Sequence, residues 1–545
     1  MVEVAQSVAE EQRPPGLDEV QKDGRGHLAI AIQFEVHDRQ QLEIRVAHRL
    51  DQAEEHLFKV DTYFFIPRNI GINSTNYPKE DFYADVNALM RLEAPALSLE
   101  RLADPGDEGS PLSRIVDALE EFRATKRTPA SSALAVHVKL YAYVHTEAVR
   151  REVKRLKDLL PECSLDKNGA RERFLAELHQ SLHQIQRSLW AYRRVRAELW
   201  PFERLCHHSL IEAMSHADEY MSLFLEEQLG KLCGALEADS RRLDGSAFVP
   251  RATATIAAVA RSEAEHRAKY DFLLLKKEQD EPGEYFGYRS SLLKKSVHQA
   301  LYLDARKARG DTFVRNAVGS VGAALAAIWA LATQLPATVA DLSGGTKMTF
   351  FAMAVLAYVL KDRIKVFTNE YLSARLRRSD HTHNIVGPSL AVIGLGMLDV
   401  KLRETMRFFS LNDVRERVRQ IRLERRTVRQ TDVLQEEVLH YRKSLQVENT
   451  QEEERLPEGY GVRDIMRFNM RHFLLRLDDP VEKVRYFDAG RDAFHEAKLP
   501  KVYHLNVVTR ARHLRKGRPQ LERYEHLRVV LDKNGIVRVD KIDPL

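Results

Sequence analysis

The chain has 545 residues, with 84 Lys and Arg against 79 Asp and Glu, a formal net charge of +5. Hydrophobic and charged shares of 44% and 30% describe folded globular material, and the length exceeds one ordinary core. A mean hydropathy of -0.40 excludes a polytopic membrane protein, and so small a charge excess is no signature of nucleic-acid binding.

Three cysteines, Cys163, Cys206 and Cys233, form no disulfide framework and no CxxC pair, which points to a reducing compartment. Residues 1–26 read as a flexible tail, with polar and acidic residues where an export signal needs a basic patch and an apolar run.

Residues 27–165 read as an α+β domain. Leu28, Ile30, Ile32, Phe34 and Val36 alternate as in a half-buried strand, as do Phe58, Val60, Thr62 and Phe64. Leu134, Val136, Val138, Leu140, Ala142 and Val144 give the clearest alternation, and helices are expected near 78–92, 111–125 and from 146. The aromatic stretch from Tyr63 to Tyr83 reads as an ordered loop over the sheet edge.

Residues 166–312 switch to helical spacing. Leu178, Leu182, Ile185, Leu189, Tyr192, Val195 and Leu199 form one seam, and three further helices follow short breaks. Four helices with short connections predict an antiparallel bundle.

Residues 313–365 carry the strongest apolar signal, with no ionisable residue between Arg315 and Asp341. Twenty residues from 316 to 335 span about 30 Å as a helix, and a second run from 342 to 360 follows a turn. Arg306, Lys307, Arg309 and Arg315 precede the pair, and Lys361, Arg363 and Lys365 follow it. By the positive-inside rule this predicts a transmembrane hairpin in the plasma (inner) membrane with both termini cytoplasmic.

Residues 366–386 read as a basic linker helix and 387–545 as a second α+β domain. There, helices are expected at 411–430 and 462–477, and Asn534-Gly535 marks a strand hairpin. The expected fold is therefore multidomain α+β with a central helical bundle and a two-helix transmembrane hairpin.

Candidate chemistry is sparse. His179 and His183 share one helix face but lie off the Leu seam. His208, Glu212 and His216 form a ladder on one bundle helix, and Glu263 with His266 makes an ExxH step on the next. A carboxylate-bridged metal site needs more repeats of that step, so these five residues are metal-ligand candidates only. Cys206, His207 and His208 cannot point to one site from one helix face, and the glycines of "VIGLGMLD" lack a dinucleotide fingerprint. The catalytic residues, if any, are not identified by the sequence, and no cofactor or bound metal is expected. Arg415, Arg419, Arg422, Arg426 and Arg429 lie on one basic amphipathic stretch suited to phosphate or lipid headgroups.

The function expected from these features is a non-catalytic membrane scaffold or signalling component with large cytoplasmic domains. Its partners would be the membrane and other proteins or copies of itself, with nucleic acid not expected. The alternatives are an enzyme with a metal site in the bundle, and a lipid- or nucleic-acid-binding protein acting through the basic helix.

Overall fold

A computed structural model describes residues 30–50, 55–125, 131–165, 169–201, 206–238, 247–274, 282–307, 319–329, 355, 359–360, 363, 366–367, 381–386, 398–423, 436–449, 460–488, 490, 492–515 and 518–542. The N-terminal part places β1 (Ala31–Asp38), β2 (Gln41–Arg49) and β3 (Glu55–Pro67) before α1 (Lys79–Asp85) and β4 (Val86–Glu93). Helices α2 (Leu99–Ala103), α3 (Pro111–Thr125), α4 (Ser131–Leu165), α5 (Ala170–Leu199), α6 (His208–Ala238), α7 (Phe248–Lys269) and α8 (Pro282–His298) come next. Then follow β5 (Tyr302–Lys307), β6 (His381–Val386), β7 (Leu398–Phe409), α9 (Glu416–Leu423), β8 (Glu436–Asn449), β9 (Gly461–Asn469) and α10 (Arg471–Leu474). The chain ends with β10 (Val481–Asp488), β11 (Ala493–Pro500), β12 (Tyr503–Arg515), β13 (Arg518–Asp532) and β14 (Gly535–Ile542).

Strands from both sides of the bundle interleave. The sheet order is β1-β2-β9-β4-β5-β6-β7-β8-β3-β12-β13-β14, antiparallel at every junction. Between β4 and β5 only Met90↔Leu303 and Arg91↔Tyr302 pair, so this is a narrow bridge between two sheets. The sheets pack face to face: Ile44 and Val46 from β2 and Met466 and Phe468 from β9 share one core with Phe64, Tyr441, Val507 and Val529. Phe64 and Phe468 stand 5.0 Å apart across it. A second core runs through α2–α8 and onto the sheets at Met90, Leu92, Leu402, Leu445 and Val462. Within it Tyr141 Oη of α4 donates to the Ser188 carbonyl of α5 at 2.7 Å. The two strands β10 and β11 form a separate hairpin.

Three expectations are corrected. The stretch containing Leu134 to Val144 is helix α4, not strand, because a long helix buried on several sides needs apolar residues almost all round, which mimics alternation. The stretch 462–477 opens as strand β9, buried on both faces, and is helical only over the short α10.

The third correction concerns the membrane. Among the described residues no helix is long and apolar enough to cross a bilayer. Residues 319–329 of that region are helical, and the residues on either side of them lie outside those described. A charge-free window sets an upper limit on a span, not a helix length. Arg306 and Lys307, which resemble a basic membrane flank, belong instead to β5 and pair with Asn384 and His383 of β6. The transmembrane hairpin, and with it the placement in an inner membrane, is not supported. Residues 330–354, 368–380 and 1–29, which carry the second run, most of the basic linker and the tail, lie outside the described residues.

Candidate functional site

The metal-ligand candidates in the bundle do not converge. His208 is fully exposed and lies 4.0 Å from Glu212, itself half exposed. His216 Nε2 lies 3.8 Å from Glu212, but its ring nitrogens are taken by Ser296 Oγ at 3.1 Å and Arg289 at 3.4 Å. Glu263 accepts two hydrogen bonds from Arg193, at 2.9 and 2.7 Å, and His266 Nε2 sits 3.1 Å from Asp218 Oδ2. Asp218 is also covered by Arg193 at 2.9 Å and by Arg196. Burial pushes its carboxyl up, yet the His266 hydrogen bond and the charges of Arg193, His266 and Arg196 bring it down to about 2. The buried carboxylates Glu263 and Asp218 are each neutralised by a guanidinium. Among the described residues no cluster of three or more His, Cys, Asp or Glu side chains suits a metal ion.

A second polar group lies between the sheets. Lys443 of β8 pairs with Asp464 of β9, both buried, and Tyr441 donates to Glu404. His48 stacks on Phe58 at 4.5 Å, and burial holds it at about 4 despite the nearby Asp464 carboxylate. His56 Nδ1 and His513 Nε2 are 3.0 Å apart, so one donates to the other. Apart from His48 Nδ1, which is buried without a hydrogen-bond partner, these groups satisfy one another inside a packed core.

The outer face of the larger sheet is different. Side chains alternate across a strand, so residues two apart on β7, β8, β3, β12 and β13 build cross-strand rows on one face. One row runs Arg403, Ser444, Lys59, Arg512, Glu522. The next runs Thr405, Arg442, Asp61, Arg510, Tyr524, and a third begins Arg407, His440, Tyr63, Val508. Six cationic side chains thus share this face with two carboxylates, Asp61 and Glu522.

Those two carboxylates are already engaged. Asp61 is completely buried and accepts from Arg442 Nε at 2.6 Å and Arg512 Nη2 at 2.8 Å, with His440 Nε2 2.9 Å away. Burial opposes its charge, but these partners hold it well below the ordinary aspartate range. Glu522 accepts from Arg510 Nε and Tyr524 Oη. Lys59 is pulled below its ordinary value by burial and by the charges of Arg512, Arg442 and Arg415, the mark of an excess of positive charge. Among the described residues Arg403, Arg407 and Arg415 have no acidic partner, and all three are exposed, while Lys59 feels the shared Asp61 carboxylate. Arg510 Nη1 and Arg512 Nε are buried N–H groups without an acceptor.

Helix α9 covers one end of this face. Val414, Val418 and Ile421 pack on Tyr63, Phe65, Val438 and Val508, a turn capped by Ser410 leads in, and Arg415 is brought over the sheet. Of the arginines singled out in the sequence, Arg419 pairs with Glu416 and Arg422 grips Glu436 at 2.5 and 3.2 Å. Arg426 and Arg429 lie outside the described residues. Only Arg415 therefore joins the site among the arginines described. Sequence reasoning missed Lys59, Arg403, Arg407, Arg442, Arg510 and Arg512, which are scattered over four strands and meet only through strand pairing. Planar guanidinium groups with free N–H donors, held in a fixed array, bind oxyanions bidentately. No family model, curated protein or solved structure matches this chain.

Proposed function

We propose that this protein is a non-catalytic docking protein that holds a phosphate-bearing partner on the outer face of β7, β8, β3 and β12. The observation that carries the reading is the trio of exposed arginines, Arg403, Arg407 and Arg415, which have no acidic partner among the described residues and stand beside Lys59, Arg510 and Arg512. Exposed guanidinium groups without a carboxylate of their own are free to take an oxyanion in two-point hydrogen bonds. The rigid sheet and a bundle cross-linked by Arg193, Asp218 and Glu263 present the face as a fixed platform.

The experiment is a titration with inorganic tripolyphosphate, read by thermal shift and calorimetry at low and high salt. Binding is expected to raise Tm and to weaken steeply as salt screens the exposed arginines. Replacing Arg403, Arg407 and Arg415 together by Glu should weaken it by about tenfold or more, a loss of at least ~1.4 kcal/mol. No binding by the wild type at low salt, or unchanged binding by the triple variant, overturns the reading.

A further inference from the structure

Hairpin β10–β11 stands apart from both sheets, packing extensively on no other described element. It is joined at its base by Lys501 N donating to the Pro480 carbonyl at 2.9 Å. A lone two-stranded hairpin is marginal in water, and its long edge is open to pairing. This one also exposes large apolar side chains, Phe494 at 74% and Phe487 and Val481 at 51% each.

The charge pattern selects an occupant for that edge. On one face the cross-strand pairs are Val481↔Pro500, Lys483↔Lys498, Arg485↔Glu496 and Phe487↔Phe494. Lys498 stands opposite another lysine and, among the described residues, has no acidic partner. Glu496 has only loose contacts, 3.9 Å to Lys483 and 3.9 Å to Arg485. If β11 pairs antiparallel with itself about Ala497, Glu496 of each copy falls opposite Lys498 of the other, twice. The same register continues the Phe487–Phe494 row into Pro500 and Val481 of the second copy, also twice. Two central charged rows flanked by two apolar rows result. Centred on Val484, β10 instead sets Lys483 against Arg485, so β11 is the complementary edge.

We infer that a second copy of this chain docks here, edge to edge through β11, making a two-fold dimer with a continuous four-stranded sheet. Such an interface is isologous, so any change in it is felt twice. The inference stands independently of the anion-binding face.

The test is sedimentation equilibrium of the full chain across the micromolar range, with E496K, K498E and an equimolar mixture of the two. The wild type should dimerise as concentration rises. Each single variant sets like charges opposite one another at both positions and should dimerise about tenfold more weakly or worse. The mixture restores a Lys–Glu pair at both positions and should form a heterodimer near wild-type strength. Both variants should retain the wild-type circular dichroism spectrum, since both positions are exposed. A wild type that stays monomeric, single variants that assemble like the wild type, or a folded mixture that fails to assemble overturns the inference.

Discussion

Arg193 of α5 donates to both oxygens of Glu263 on α7, at 2.9 and 2.7 Å, while its Nε reaches Asp218 of α6 at 2.9 Å. One guanidinium thereby ties three helices together around two buried carboxylates. Replacing Arg193 by Met keeps much of the packing but leaves both carboxylates undercompensated. The expected loss is about 3–5 kcal/mol of folding stability, the usual result of stranding a buried charge. Glu263→Gln should cost less, because it strands only part of one cation that Asp218 still engages. Urea denaturation of the two variants at neutral pH decides the order.

Acid should unfold the protein earlier than its carboxylates alone require. His48 is held at about 4 by burial, against an ordinary 6.5, with Asp464 raising it and His513 and Lys443 lowering it further. Between those two values the unfolded chain takes a proton and the folded chain does not. Stability from this group is thus full above 6.5 and falls as pH drops toward 4, by about 2–3 kcal/mol near pH 4.5. Asp218 acts lower: its depressed value contributes stability above ~4 that is lost as pH falls toward about 2. In His48→Phe the drop between pH 7 and 4.5 should shrink by that amount, measured by denaturant titration at both pH values.

Helix α5 was legible because it buries a single stripe. Leu178, Leu182, Ile185 and Leu189 are all buried on α5, as the 3.6-residue period requires. The strand hairpin at Asn534-Gly535 was legible from its turn residues. The basic face was not legible, since Lys59 and Arg512 are adjacent only through β3–β12 pairing, a contact no local pattern encodes. Helix α4 and strand β9 were misread for a related reason. Both are covered on more than one side, and total burial erases the periodicity that separates helix from strand.

The outer edges of the sheets meet at a position that demands glycine. Gly535 has φ +139°, and a Cβ there would lie 2.2 Å from the Arg39 carbonyl oxygen of the β1–β2 turn. Ile536 N donates to that same oxygen at 2.6 Å. Gly535→Ala must displace the turn or break this bond, for an expected loss of about 1–3 kcal/mol. Gly230, in the interior of α6 with open space around it, provides the contrast: Gly230→Ala should stabilise by about 0.5–1 kcal/mol. Thermal melts of both variants test the opposite signs.

Asp61 lies beneath the basic face and neutralises part of it, so its removal should move stability and affinity in opposite directions. Asp61→Asn leaves Arg442, Arg512 and His440 facing one another without the carboxylate they share. Arg442 is well exposed and water screens it, which keeps the expected loss to about 1–3 kcal/mol. The freed guanidinium groups add donors and charge to the face. Tripolyphosphate should therefore bind the variant more tightly than the wild type, by about tenfold, and should raise its Tm by a larger increment. A purely structural role for the arginines would lower stability and leave tripolyphosphate affinity unchanged. Calorimetric titration of Asp61→Asn against the wild type at one low salt concentration separates the two.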